Sequence, residues 1–148
     1  MIFLYIFLGL IFFAFTVLLI QNLTPPSGIG VKDGKLKGKP FTPNAVSSQF
    51  SDPKFAVKPL PFKGDLKTSR DKILEILKTS ELVKIKKEES NYIYAVFQTP
   101  KAKFNDDVEF YFDESQKVIH FRSASRAGFG DKGVNKRRYL DIVKKYGV

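Results

Sequence analysis

Three kinds of hydrophobic patterning follow one another along this chain. Ile2 to Ile20 reads IFLYIFLGLIFFAFTVLLI, apolar on every side and without a charge. As a helix rising about 1.5 Å per residue, such a run extends roughly 28 Å, close to the hydrocarbon thickness of a bilayer. From Gln21 to about Ser51 no period survives. Pro, Gly, Lys and Ser dominate, as in TPPSGIGVKDGKLKGKPFTPNAVSS, the composition of a tether or of an arm lying on a surface.

Beyond the arm the pattern becomes that of a folded domain. Phe55 to Val57 is a strand-like patch, stopped by Pro59 and Pro61. Ile73, Leu74, Ile76 and Leu77 share one face of a predicted helix, whose start is marked by Thr68 with Asp71 three positions on, an Asp variant of the capping box. Four strands are predicted next. In 82–87 Val83 and Ile85 alternate with lysines; in 91–99 Ile93, Ala95 and Phe97 share a face; in 107–113 Val108, Phe110 and Phe112 do so; the fourth is 117–123. Short polar turns between them predict an antiparallel meander. In 134–146, Tyr139, Leu140, Ile142, Val143 and Tyr146 recur at helical spacing, with Asn135 as a natural N-cap and Gly147 as a natural stop. The expected fold class is therefore α+β. A transmembrane helix (1–20) and an arm (21–51) precede a two-layer domain (52–148), in which two helices pack on an antiparallel sheet of about four to five strands.

Charge changes this picture by suggesting partners. The chain carries 25 Lys and Arg against 15 Asp and Glu, a formal net charge of +10, and none of it lies in the first twenty residues. An excess of this kind favours anionic partners: an acidic protein, an anionic lipid surface or a small anionic ligand. Nucleic acid is a weaker match, because the basic residues are not interleaved with an aromatic platform. With no cysteine and a single histidine, His120, a disulfide scaffold, a thiol nucleophile and a Cys/His zinc site are excluded, and no cofactor is expected. An acid-only cation site stays open.

The first segment is longer than the apolar region of a cleaved signal peptide, has no Lys or Arg ahead of it, and is followed by QNLTPP. These features favour an uncleaved, single-pass anchor. Lys32, Lys35, Lys37 and Lys39 lie beyond it, too far from the membrane end to fix the side on which the domain resides.

The least ordinary stretch is RSASRAGFGDKGVNKRR, from Arg122 to Arg138. Period-two alternation puts Ile119, Phe121, Ser123 and Ser125 on one side of a strand and His120, Arg122 and Ala124 on the other. The chain then leaves the sheet past Arg126, Gly128, Gly130, Asp131 and Gly133 and enters a helix near Asn135. Two readings stay open. Arg122 and Arg126 at a glycine-rich loop suit an anionic group. Alternatively Asp131 pairs with Arg126, and Asp106 or Asp107 with Arg122, in a network that fixes the loop.

Catalysis finds less support. Asp106 and Asp107 would face opposite ways on a strand, and the same alternation separates His120, expected to be exposed, from Ser123 and Ser125. No Walker-type loop is present. On the last helix, Lys136, Arg137, Arg138, Lys144 and Lys145 fall largely off the apolar stripe and form a candidate basic contact face, which is equally what a solvated surface would look like.

Several of these stretches resemble the family known as domain of unknown function 1499: the arm GVKDGKLKGKPFTPNAVSSQ, the patch KPLPF, DDVEFYFD, and RSASRAGFGDKGVN followed by a basic helix. The last is the most specific, mapping its Ser-x-Ser-Arg-x-Gly-x-x-Asp-x-Gly-x-Asn run onto Ser123, Ser125, Arg126, Gly128, Asp131, Gly133 and Asn135. Where the family's arm carries two cysteines, this chain has Lys39 and Ala45, while Pro43, Asn44, Val46, Ser47 and Ser48 match. The resemblance implies no established activity. It does imply that the arm is part of the domain, with Asn44, Ser47 and Ser48 expected to dock near the Arg126 loop. The functions left are a membrane-anchored binding or accessory module, or a small anionic-ligand domain or enzyme using the 122–135 loop.

Overall fold

The computed structural model describes all 148 residues, Met1 to Val148. Helix α1 (Ile2–Leu23) is long and apolar enough to cross a membrane, and it stands away from the rest of the protein with its apolar surface uncovered. Only its last turn touches the domain. Asn22, 8 % exposed, donates from Nδ2 to Lys103 O (3.0 Å) and accepts from Asn105 N at Oδ1 (2.7 Å), while its own carbonyl accepts from Asn105 Nδ2 (2.9 Å).

After the arm come β1 (Ala45–Ser47), β2 (Leu60–Pro61), α2 (Leu66–Lys78), β3 (Val83–Glu88), β4 (Tyr92–Gln98), β5 (Asn105–Asp113), β6 (Val118–Ser125) and α3 (Val134–Tyr146). The sheet is antiparallel in the order β1-β6-β5-β4-β3, with β2 also paired to β6. The fold is α+β. Besides the four-stranded meander, two short strands pair with the free edge of β6, which makes six. One, β1, belongs to the arm; the other, Leu60–Pro61, sits where the prolines were expected to stop pairing. Proline is tolerated there because an edge strand can forgo a donor. Phe55 to Val57 makes only an isolated bridge, Ser47 to Ala56.

Local chemistry sets the helix ends. The N-cap of α2 is Asp65, whose carboxylate accepts from Thr68 N at 2.7 Å, so the expected Thr68–Asp71 box is displaced by one turn. Asp71 instead pairs with Lys67. Helices α2 and α3 lay Ile73, Ile76, Leu77, Tyr139, Ile142 and Tyr146 over Ile93, Ala95, Val108, Phe110, Phe112, Ile119 and Phe121. Each large apolar side chain buried here stabilises the fold by roughly 1.5–3 kcal/mol relative to exposure. Leu140, expected on this stripe, is 52 % exposed, because Tyr139 and Ile142 define the inward line.

Over β4 to β6 the opposite sheet face is covered by the arm, while β3 leaves Lys84 and Lys87 exposed there. Leu36 packs with Tyr92, Tyr94 and Val96, flanked by Ile29 and Tyr111. A loop, unlike a helix flank, carries free backbone donors, and the sheet supplies acceptors: Gly30 N donates to Glu109 Oε1 (2.8 Å). Leu36 N is met from within the arm by Gln49 Oε1 (2.8 Å).

Candidate functional site

β6 ends at Ser125, and the chain turns through Gly128, held at φ +87°, and Gly133, at φ +76°. Gly133, not Asn135, is the N-cap of α3. The capping acceptor is Asp131, which receives Gly133 N (3.0 Å) and Asn135 N (2.8 Å) and does not meet Arg126. Asn135 is fully buried with its amide saturated. Its Nδ2 donates to Asn44 O, Ser125 Oγ and Asp131 Oδ2, and its Oδ1 accepts from Ser123 Oγ and Arg138 Nη1. Five residues from four segments, the arm, β6, the loop and α3, are thereby locked to one side chain.

Asn44 completes the lock from the arm. It donates to Gly128 O (2.9 Å) and Ser125 O (3.4 Å), and its carbonyl accepts from Ser125 N. Ser47 is buried opposite Arg122 in the β1–β6 register, and Ser48 bonds to the Phe121 backbone. Thus Asn44 lies against the Arg126 loop, while Ser47 and Ser48 line up further back along β6.

Three buried ion pairs occupy the same end of the sheet, with partners other than the pattern suggested. Arg138 donates to Asp106 (2.6 Å) on the helix side. Arg126 donates to Asp107 (2.7 Å) and to Tyr94 Oη (3.0 Å) on the arm side. Arg122 donates to Glu109 (3.0 Å), which also accepts from Tyr92 Oη. Asp106 and Asp107 do point to opposite faces, as strand alternation requires. Period two along β5 puts Glu109 on the face of Asp107, but only the strand register sets Tyr94 and Arg122 opposite Glu109, so the sequence pattern did not single out Tyr94 or Glu109 as site residues. Burial pushes the Tyr94 hydroxyl up to about 12, helped by its bond to Asp107, so it stays a neutral donor. Burial alone would lower the Arg126 guanidinium, but Asp107 and Tyr94 outweigh it and hold it protonated.

A cleft of about 300 Å³ opens beside this cluster, lined by Arg122, Arg126, Lys37, Thr42, Asn44 and Ser125, with Gln21 and Pro26 closing its α1 side. Arg126 is fully committed: it also donates to the carbonyls of Asn22 and Leu23 at the end of α1. Arg122 is not. It is 2 % exposed, spends Nη1 on Glu109, and its buried Nε meets no acceptor. A guanidinium has five N–H donors, and leaving one unmet in the interior costs about 1–3 kcal/mol. Arg122, Arg126 and Lys37 set three cations against the carboxylates Asp107 and Glu109, leaving the cleft one positive charge in excess.

Comparison with known families gives one match: the model for "Protein of unknown function (DUF1499)" covers residues 35–145, most of the chain. The chain belongs to this family. The match begins inside the arm and ends in α3, so it includes β1, the Asn135 lock and most of the cleft lining, and leaves α1, Gln21 and Pro26 outside. No curated protein and no solved structure matches.

Two further features of this DUF1499 chain differ from expectation. His120 is 8 % exposed rather than open to solvent, because the arm covers its face of the sheet. Its Nδ1 lies 3.2 Å from Ser48 Oγ and its Nε2 4.0 Å from Asp113, an order of residues that resembles a hydrolase triad. The 4.0 Å separation from Asp113, however, is too long for a hydrogen bond that would orient the ring, and Ser48 Oγ accepts the Phe121 N–H at 2.9 Å. Burial lowers the His120 pKa, with the Asp113 charge opposing, so the ring is neutral near pH 7 and fastens the arm to β6. On α3, Arg138 is withdrawn from the basic face by Asp106 and by its bond to Ser123. Lys136, Arg137, Lys144 and Lys145 stay exposed, Lys145 paired with Asp141.

Proposed function

We propose that this chain is a non-enzymatic, single-pass membrane protein whose domain binds a small oxyanion, such as a phosphate group, in the cleft beside Arg122. The observation that carries the reading is Arg122 itself, a buried guanidinium with donor capacity left over, lining a cleft with net positive charge. Thr42, Asn44 and Ser125 add short polar groups suited to orienting an oxyanion, and Lys37 stands at the rim. Helix α1 keeps the cleft next to the bilayer, since Gln21 and Pro26 form its wall.

The test is the melting midpoint of the full-length chain in detergent, with inorganic phosphate, sulfate or nucleotides against chloride at constant ionic strength. A ligand that binds only the folded form raises stability by about 2.7 kcal/mol at a hundredfold excess over its dissociation constant. Phosphate is expected to raise the midpoint of the native chain and to act more weakly on Lys37→Gln, which leaves every buried pair intact. No rise with any anion would reduce the cluster to internal scaffolding.

A second reading rests on the exposed Lys136, Arg137 and Lys144 of α3, which suit an acidic protein or anionic lipid surface. Binding that weakens steeply with added salt would favour it.

A further inference from the structure

Outside α1, the exposed aromatic side chains are Phe41, Phe104 and Phe129 (96 %, 40 % and 71 %). Phe41 precedes β1, Phe104 precedes β5 and Phe129 follows β6; exposed Leu82 precedes β3. In an antiparallel sheet of this order, all four loops lie at the same end. That is also the end to which α1 is tied, through Asn22 to Lys103 and Asn105 and through Arg126 to Leu23. The apolar body of α1 leads away from there, so this end of the sheet faces whatever α1 enters.

The same loops carry four exposed lysines, Lys39, Lys101, Lys103 and Lys132, against one exposed carboxylate, Glu81. Between the 99–104 and 127–137 segments lies a cavity of about 600 Å³, lined among others by Lys101, Phe104, Asp106, Lys132 and Arg137. Asp106 is 1 % exposed; Arg138 holds its Oδ2, and its Oδ1 meets no donor. Exposed aromatics beside cations are what a protein surface presents to the headgroup layer.

Building on the reading of α1 as a membrane anchor, we infer that this end of the domain is a seat for an anionic phospholipid of the same bilayer. Lys101, Lys132 and Arg137 meet the lipid phosphate, a headgroup hydroxyl donates to Asp106 Oδ1, and Phe41, Phe104 and Phe129 enter the boundary of the acyl chains. The lysines explain why the occupant is a lipid rather than a second copy of this chain: two such ends, each rich in exposed lysine, would repel.

The chain contains no tryptophan, so a single substitution gives an unambiguous depth probe. Full-length Phe129→Trp and, separately, Phe12→Trp are reconstituted in vesicles of phosphatidylcholine alone or mixed with phosphatidylglycerol, with brominated acyl chains as quencher. The expected result is quenching of both probes, with the Phe129→Trp emission shifted to the blue only when phosphatidylglycerol is present. Adding Lys101→Gln and Lys132→Gln is expected to abolish that shift. Quenching at position 12 without any at position 129 would overturn the lipid seat and leave the anchor standing. An unquenched probe at position 12 would remove the anchor and the seat together.

Discussion

Over β4, β5 and β6 both faces of the sheet are largely buried, yet one is closed by helices and the other by an irregular arm. Neighbouring residues of β5 show the consequence: Phe110 and Glu109 are each 0 % exposed, the first among apolar side chains, the second bonded to Arg122, Tyr92 and Gly30. A helix spends its backbone donors internally and offers only side chains, so an apolar face suits it. An arm brings unpaired N–H groups with it, and the face beneath must answer with acceptors. Polar residues on a buried face are thus a sign of what covers it, and here they also create the donor-rich cleft.

The contrast can be broken most forcefully at that pair in β5. Phe110→Ala is expected to cost about 3–5 kcal/mol through the cavity left behind. Glu109→Ala should cost a similar 3–5 kcal/mol, because it strands a buried Arg122. Urea denaturation measures both; a Glu109→Ala variant as stable as the native chain would mean that water reaches the arm face freely.

A smaller effect distinguishes the glycines of the loop that joins β6 to α3. Gly128→Ala forces a side chain into the left-handed region and is expected to cost about 1–2 kcal/mol. Gly130 has an ordinary φ and open space around it, so Gly130→Ala should fall within about 0.5 kcal/mol of the native chain. Equal costs for the two would show that backbone conformation does not shape this loop.

The smallest effect is titratable. The folded state holds His120 below its ordinary pKa of 6.5, so the unfolded chain binds the proton more readily. Stability is therefore complete above about pH 6.5 and declines as the pH falls below it toward the folded pKa. Comparing melting midpoints of the native chain and His120→Gln between pH 7 and 5 checks this, the variant being expected to lose less on acidification over that range.

Period and composition alone identified α1, the helices α2 and α3 and the meander from β3 to β6, because each depends on neighbours a few residues apart. The directions of Asp106 and Asp107 were legible for the same reason. Partners were not. That Arg138 leaves the basic face for Asp106, that Arg122 chooses Glu109, and that Asp131 caps α3 instead of meeting Arg126 depend on which faces are brought together. The burial of His120 and the strand formed by Ala45–Ser47 likewise depend on where the arm lies. A segment without its own period announces no address; its position is fixed by long-range bonds such as Asn44 to Gly128 and Gly30 to Glu109, which exist only once the sheet has formed. Local pattern determined the elements, and the pairing of buried charges and backbone donors across the fold decided the site.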